Sequence, residues 1–151
     1  RMLCFCFQAE DGRRDDQESR GLGDVYKRQE AQHITTFSDL DSAARALLDA
    51  GVQTVVIKQG ANGSTAYQSG WRHHQEAIVL GDLVDSIGAG DTFDAGAIYG
   101  WLHDWDWERS LLFASVAAGY TVTGAGGTQN MPDLETVLRK TQEIGFQRGR
   151  E

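Results

Sequence analysis

The stretch Asp85-Ser86-Ile87-Gly88-Ala89-Gly90-Asp91-Thr92-Phe93 decides the fold that we predict for this chain. An apolar run before it, residues 77–84, predicts a strand, and an apolar run after it predicts a helix from about Gly90 to Leu102. The two glycines allow the backbone to come close to a ligand. Because the first N–H groups of a helix favour negative charge, this loop predicts an anion site of the kind that binds phosphate.

Asp91 places a carboxylate at the mouth of this predicted anion site. A carboxylate alone would repel phosphate. It is better explained as a general base, which takes a proton from a hydroxyl while backbone amides stabilise the charge on a phosphoryl group. The alternative is a tight strand-to-helix turn in which Asp91 only caps the helix.

These residues resemble the C-terminal signature of the ribokinase-like (PfkB) carbohydrate kinases, D-[ST]-x-G-A-G-D-x-F, and match it at every specified position. The resemblance implies an α/β fold of the ribokinase-like, three-layer α/β/α type. It also implies ATP-dependent phosphorylation of a sugar or sugar-acid hydroxyl. Asp91 would be the catalytic base, and Gly88, Ala89 and Gly90 would supply the anion hole.

The resemblance extends over nearly all of residues 30–141, which would form the C-terminal half of a family domain. We therefore expect residues 30–151 to be a C-terminal fragment that is inactive alone. One rival is a nucleoside kinase of the same fold, and another is a non-catalytic ribokinase-like binding protein. The carboxylate of Asp91 argues against the second rival, because a binding protein has no use for a base there.

A nucleotide site is implied by Lys58-Gln59-Gly60-Ala61-Asn62-Gly63, which is similar to the family turn that lines the ATP phosphates. The similarity implies that Lys58, Gly60 and Gly63 bind the nucleotide. The alternative is that a strand leaving a sheet needs glycines to turn.

Cation sites are implied by three further residues. The segment 123–132 resembles the family loop that closes over adenine and helps to bind a monovalent cation, with Gly126 and Asp85 as the matching residues. Glu30 falls where the family has a glutamate that organises Mg²⁺ through water. The alternatives are a glycine-rich connector and an ordinary surface glutamate. The resemblance thus implies ATP and Mg²⁺ as cofactors, with K⁺ as an optional third. It also leaves open whether the full-length parent is a homodimer.

Residues 1–29 are predicted to be a non-native, disordered leader outside the domain. Asp24-Val25-Tyr26-Lys27-Arg28-Gln29 can be encoded by a transposon-end sequencing adapter, and residues 8–12 by the start of a flow-cell primer. Such segments are excluded from fold reasoning. Cys4 and Cys6 lie in this leader, so they indicate nothing about metal binding or the redox compartment.

The charge and hydropathy of the chain limit its partners. The leader contains equal numbers of acidic and basic residues, so the net charge of −8 belongs to residues 30–151. An acidic chain is a poor nucleic-acid binder, and no apolar run is long enough to span a membrane. We expect a cytoplasmic protein whose partners are a small sugar substrate and ATP.

The remaining periodicity predicts alternating helices and strands, which indicates a layered α/β fold. The predicted helices are Ser38–Ala50, Trp107–Val122 and 132–140; the predicted strands are Thr54–Lys58, Ser64–Tyr67 and Trp71–His74. The cluster of Trp101, Trp105 and Trp107 with His103 is expected to pack a helix corner, and the alternative is an aromatic ligand box.

Overall fold

The computed structural model describes residues 3–7, 39–126 and 131–148. The chain divides into two compact units, Arg1–Arg72 and His73–Glu151. In the described residues the elements are, in order, strand β1 (Leu3–Phe7), helix α1 (Leu40–Asp49), strands β2 (Thr54–Lys58), β3 (Ser64–Gln68) and β4 (Trp71–Gln75), and helices α2 (Ala89–Leu102), α3 (Trp107–Thr121) and α4 (Leu134–Arg148).

The four strands form one sheet in the order β1-β2-β3-β4. β1 runs parallel to β2, and β3 runs antiparallel to β2 with Val56 opposite Ala66. All five residues of β2 are buried, as expected for a central, continuously apolar strand. The sequence prediction for β2 is therefore confirmed, and the predicted hairpin is confirmed with each strand slightly longer.

β1 corrects the expectation that residues 1–29 lie outside the fold. Leu3 pairs with Thr54 and Phe7 with Lys58, so this segment forms an edge strand of the sheet. The physical reason is that a buried strand with an open edge favours any β-prone apolar segment as a partner. Residues 8–29 lie outside the described residues.

Helix α1 packs on the first unit's part of the sheet. Its N-cap is Asp39, whose Oδ1 accepts a hydrogen bond from the Ser42 N–H at 2.8 Å, and not Ser38 as the sequence suggested. The shared core contains Ala44 of α1 with strand residues of β2 and β3, namely Val55, Ile57 and Tyr67.

Two hydrogen bonds to the Asp41 carboxylate lie at the edge of this core. The Tyr67 hydroxyl donates to Asp41 Oδ1 at 2.8 Å, and Arg72 Nη1 donates to the other carboxylate oxygen at 2.9 Å. Burial, and then the hydrogen bond to Asp41, raise the pKa of Tyr67 above its ordinary value. The phenol therefore stays a donor to Asp41 across the neutral pH range.

The second unit is built on the close crossing of α2 and α3. A Cβ placed on Gly96 would lie only 2.8 Å from Ala114 Cα, and one on Gly100 would collide with the Ser110 side chain. The two glycines thus let the helix backbones meet. Helix α4 then packs on α3, with Val137 in the same core as Leu112, Phe113 and Val116.

The segment 77–84, predicted as a strand, is not one in the structure. Its end is held by a helix and not by a neighbouring strand, because the N–H groups of Val84 and Asp85 both donate to the Val122 carbonyl at the end of α3. Gly81 packs against Thr123 in the same place. Within the described residues, no helix is both long enough and apolar enough to cross a membrane.

Candidate functional site

The N-terminus of α2 carries the predicted base. Gly88 is the N-cap, with φ of 78° and ψ of −9°, a left-handed conformation that side chains disfavour. Asp91 stands in the first turn of the helix and is exposed to solvent. The exposed carboxylate therefore lies where the helix dipole and the first amides favour negative charge. This geometry suits a base beside an anion-binding helix end.

The turn before α2 is fixed by hydrogen bonds to its own backbone. Thr92 donates twice to the Gly88 carbonyl, from its N–H at 2.9 Å and from Oγ1 at 3.0 Å. Ala89, one of the predicted anion-hole residues, donates its N–H to the Ser86 carbonyl at 3.3 Å. The conformation of the loop is thus set by the protein itself.

Asp85 joins two segments that are distant in sequence. Its Oδ1 accepts the N–H of Ile87 at 2.9 Å, and its Oδ2 accepts the N–H of Gly126 at 3.4 Å. The second contact connects the signature loop with the glycine-rich loop after α3. The structure therefore brings together Asp85 and Gly126, two residues that the sequence assigned to one cation site.

The sequence around α2 is acidic. Between Arg72 and Arg109 the sequence contains eight Asp or Glu and no Lys or Arg. A bound phosphate could therefore rely only on backbone amides and on metal cations for compensation within this stretch. Among the described residues, no group of three His, Cys, Asp or Glu side chains could hold a metal ion alone.

The predicted nucleotide turn lies in the other compact unit, between β2 and β3. Gly60 and Gly63 have φ of 59° and 83°, and the Gln59 N–H donates to the Gly63 carbonyl at 2.8 Å. These glycines are thus needed for the turn itself. Lys58 is buried, with 6% of its surface exposed, and it pairs in the sheet opposite Ser64. A nucleotide role for these residues stays a prediction.

Other candidates fall outside the described residues or serve in packing. Glu30 and residues 127–130 of the predicted adenine loop lie outside the described residues. Of the predicted aromatic corner, Trp105 and Trp107 pack as expected. Trp107 is buried, and the Trp105 ring meets Phe113 edge to face at 5.4 Å between centroids. Arg109 stacks over Trp105 at 3.7 Å. Tyr99 of α2 stacks on Phe113 of α3 at 5.4 Å between centroids, so this cluster joins the two helices.

Sequence reasoning missed the role of Thr92 and of the Val122 carbonyl. The available signal for Thr92 was a hydroxyl four residues after a left-handed glycine, a spacing that allows a bond back to the helix start. Nothing in the sequence indicates the Val122 contact, because it depends on how α3 is placed against the segment before the signature.

Comparison with known proteins identifies the family. The profile of the pfkB family carbohydrate kinases matches residues 25–134. The chain belongs to the pfkB carbohydrate kinase family. A curated pfkB relative, the 5-dehydro-2-deoxygluconokinase of Clostridium perfringens, is 34% identical over 106 residues, which cover 68% of this chain and 31% of the relative. The ribokinase of Arabidopsis thaliana is 33% identical over 105 residues, covering 69% of the chain and 28% of that protein.

Solved structures agree on the fold, which is ribokinase-like α/β. Arabidopsis thaliana ribokinase, solved with ribose and ATP, superposes with a TM-score of 0.66 and 29% identity, covering 75% of this chain and 38% of its own. An E. coli protein described as a ribokinase II, solved with ATP and Mg²⁺, gives a TM-score of 0.70 and 26% identity over 77% of this chain and 37% of its own. The pfkB chain thus spans about a third of the length of the relatives it matches.

Proposed function

We propose that this chain is the catalytic and nucleotide-binding part of an ATP-dependent carbohydrate kinase. The observation that carries the proposal is the exposed carboxylate of Asp91 in the first turn of α2, directly after the left-handed Gly88. The family match and the sugar-kinase relatives support it. The reaction would transfer the γ-phosphoryl group of ATP to a hydroxyl of a sugar or sugar acid.

Asp91 would accept the proton of the attacking hydroxyl. At the same moment, the amides of Gly88, Ala89 and Gly90 would stabilise the charge on the transferred phosphoryl group, and the Ala89 N–H would exchange its 3.3 Å bond to the Ser86 carbonyl for one to the phosphoryl oxygen. Thr92 would maintain the turn, because its two bonds to the Gly88 carbonyl fix the start of the helix. This division separates the proton acceptor from the groups that position the phosphate.

Nucleotide and cations would be held by residues whose chemistry fits them. Gly60 and Gly63 would let the backbone approach a phosphate, with Lys58 beside them and Gly126 at the adenine loop. Asp85 would contribute carboxylate oxygen, a donor that hard cations prefer, to a K⁺ site. Mg²⁺, organised through water by Glu30, would neutralise the phosphates when it is bound.

Among substrates, a sugar or sugar acid is favoured over a nucleoside. The curated relatives named above are a 5-dehydro-2-deoxygluconokinase and a ribokinase, and each is at least 33% identical to the chain. The nucleoside kinase of Methanocaldococcus jannaschii is 23% identical, a level that supports only the shared fold. The first substrates to assay are therefore 5-dehydro-2-deoxygluconate and ribose, with adenosine as the rival.

The deciding experiment compares Asp91→Asn with Asp94→Asn in the full-length parent enzyme. The Asn side chain keeps the shape and a capping oxygen but cannot accept the proton. General-base catalysis is worth about 10²–10⁴ in rate, so kcat should fall by that factor while the KM for ATP changes little. Asp94 lies one turn further along α2, and its variant should keep kcat within roughly tenfold. Near-normal kcat in Asp91→Asn, with loss in Asp94→Asn, would reverse the assignment.

We also propose that residues 8–29 derive from a sequencing adapter and that the pfkB domain begins near residue 30. The chain alone should then lack sugar-kinase activity, because most of a relative's length has no counterpart in it. Resequencing the source locus without adapter-primed amplification would check the leader. Finding the same codons in the genome would show that the segment is natural. A cytoplasmic location and a homodimeric parent are further proposals.

A further inference from the structure

Thr92 is bonded to the residue at which α2 begins. It is buried, with 4% of its surface exposed, and it donates two hydrogen bonds to the Gly88 carbonyl, from its N–H at 2.9 Å and from Oγ1 at 3.0 Å. A carbonyl oxygen has two lone pairs, so both are engaged by the same residue. The direction of the Gly88 carbonyl is therefore fixed by the backbone and the side chain of Thr92 together.

The Gly88 carbonyl shares one rigid peptide unit with the Ala89 N–H. The unit is planar and trans, so the N–H points opposite to the carbonyl. Because the carbonyl points along α2 towards Thr92, the Ala89 N–H points away from the body of the helix, on the side of the proposed anion site. Its acceptor in the structure is the Ser86 carbonyl at 3.3 Å, which is longer than the usual distance of about 2.9–3.0 Å for such a bond.

Glycine at the start of α2 makes this restraint necessary. Without a Cβ, Gly88 has access to many backbone conformations, so its peptide unit could otherwise rotate. A side-chain cap restrains a helix start but occupies one of its amides, as Asp106 does in α3 by accepting the Arg109 N–H at 2.7 Å. Gly88 has no side chain that could do this. Thr92 restrains the turn through a carbonyl, and its hydroxyl blocks no amide of the first turn.

We propose that Thr92 is a positioning residue for phosphoryl transfer, which aims the Ala89 N–H at the transferred group through the shared peptide unit. The inference rests on the proposed function, in which that N–H stabilises charge on the phosphoryl group. Its role differs from that of Asp91, because the Thr92 hydroxyl is engaged by the Gly88 carbonyl. Loss of the hydroxyl should weaken an interaction that matters in the transition state, and should therefore lower kcat with little change in KM.

The test compares two variants in the full-length parent enzyme. Thr92→Val removes the hydroxyl but keeps the shape, and Thr92→Ser keeps the hydroxyl. Removing an oxyanion donor costs about 10²–10³ in kcat, and misdirecting one should cost less, so we expect Thr92→Val to lower kcat about 10–100-fold. The KM values for ATP and for the sugar should change by less than about threefold. Thr92→Ser should recover most of kcat.

The matched control is Thr141→Val in α4. Thr141 is also buried, with 6% of its surface exposed, and its Oγ1 donates to the Val137 carbonyl four residues earlier at 2.8 Å, the same kind of contact that Thr92 makes. Both valine variants should lower the melting temperature by similar amounts, while only Thr92→Val should lower kcat. An equal loss of kcat in the two variants would show a general effect of stability and would overturn the proposal.

A second measurement needs no activity and uses the chain itself. In NMR relaxation of the backbone amides, Thr92→Val should lower the order parameter of the Ala89 amide from the rigid value of about 0.85, while Thr92→Ser and Thr141→Val leave it unchanged. An unchanged Ala89 amide in Thr92→Val would overturn the inference even in an active kinase. A parent that phosphorylates no sugar would refute the proposed function, and the catalytic role of Thr92 with it, whatever the Ala89 amide shows.

Discussion

Replacing Gly96 by alanine measures how closely α2 and α3 must approach. The new Cβ would lie 2.8 Å from Ala114 Cα, 3.3 Å from its Cβ and 3.4 Å from its N. The first of these atoms is backbone and cannot rotate away, so the two helices must separate. Overpacking of this kind costs about 1–3 kcal/mol. Alanine recovers about 1 kcal/mol through its higher helix propensity, so we expect a net destabilisation of about 0–2 kcal/mol.

Gly145→Ala is the matched control, because it makes the same chemical change within helix α4. There the new Cβ meets only Leu112 Cδ2, at 3.9 Å, which is an ordinary contact. This variant should gain up to about 1 kcal/mol. The propensity gain is common to both variants, so the difference between them isolates the steric cost, about 1–3 kcal/mol.

The assay is urea unfolding of both variants and of the parent chain, followed by circular dichroism, with equal m-values required before the midpoints are compared. If Gly96→Ala proved as stable as Gly145→Ala, the helices would not be in contact at this point. The close crossing would then be wrong, and with it the argument that glycine is required on α2.

Three further changes test other parts of the fold. Tyr67→Phe removes the hydroxyl bond to Asp41 and should cost about 1.5 kcal/mol in urea unfolding, the lower end of the range for a charged acceptor, because this carboxylate is 47% exposed. Because the pKa of Tyr67 is raised, the stabilisation from its hydrogen bond should be complete below about pH 10, the pKa of an unfolded tyrosine, and should decline progressively as pH rises further. The difference in unfolding free energy between the parent chain and Tyr67→Phe should therefore narrow above about pH 10, and a constant difference would contradict the reasoning. Asp133 precedes α4 and accepts the N–H of Thr136 at 2.8 Å, as Asp39 accepts that of Ser42 before α1. Both caps have lowered pKa values, mainly through hydrogen bonds from Ser42 to Asp39 and from Thr136 to Asp133. Their contribution should therefore be present above about pH 4 and disappear as pH falls further, and the double Asn variant should flatten this acid dependence in thermal melts. Deleting residues 1–7 should lower the melting temperature because it opens the edge of β2 that β1 covers; an unchanged value would restore the view that this segment is dispensable.

Much of the secondary structure could be predicted because local signals agree with the final packing. β2 was predicted at its exact bounds, since four β-branched residues in a row before Lys58 suit a buried strand. α2 and α3 were predicted to within one residue at each end. The last helix was predicted to end at residue 140, but it extends to Arg148. Its second half lacks the strong apolar spacing on which the prediction depends.

The errors occurred where distant contacts decide the conformation. Residues 77–84 have the composition of a strand, but their hydrogen-bond partner is the end of α3. Leu3–Phe7 was assigned to a leader because it precedes the adapter-like residues 8–29, yet five apolar residues are enough to pair with an open sheet edge.

The sequence by itself determined the family, the position of the acid Asp91 and the need for glycine at Gly88, because these depend on residue type and on spacing along a short loop. Only the tertiary structure decided that the Asp85 carboxylate bonds an amide 41 residues away and that Gly96 lies against Ala114. It also decided that Leu83 and Val84 are exposed to solvent. The physical reason is that hydrogen bonds and steric contacts act through space, so partners far apart in sequence become defined only when the helices have packed.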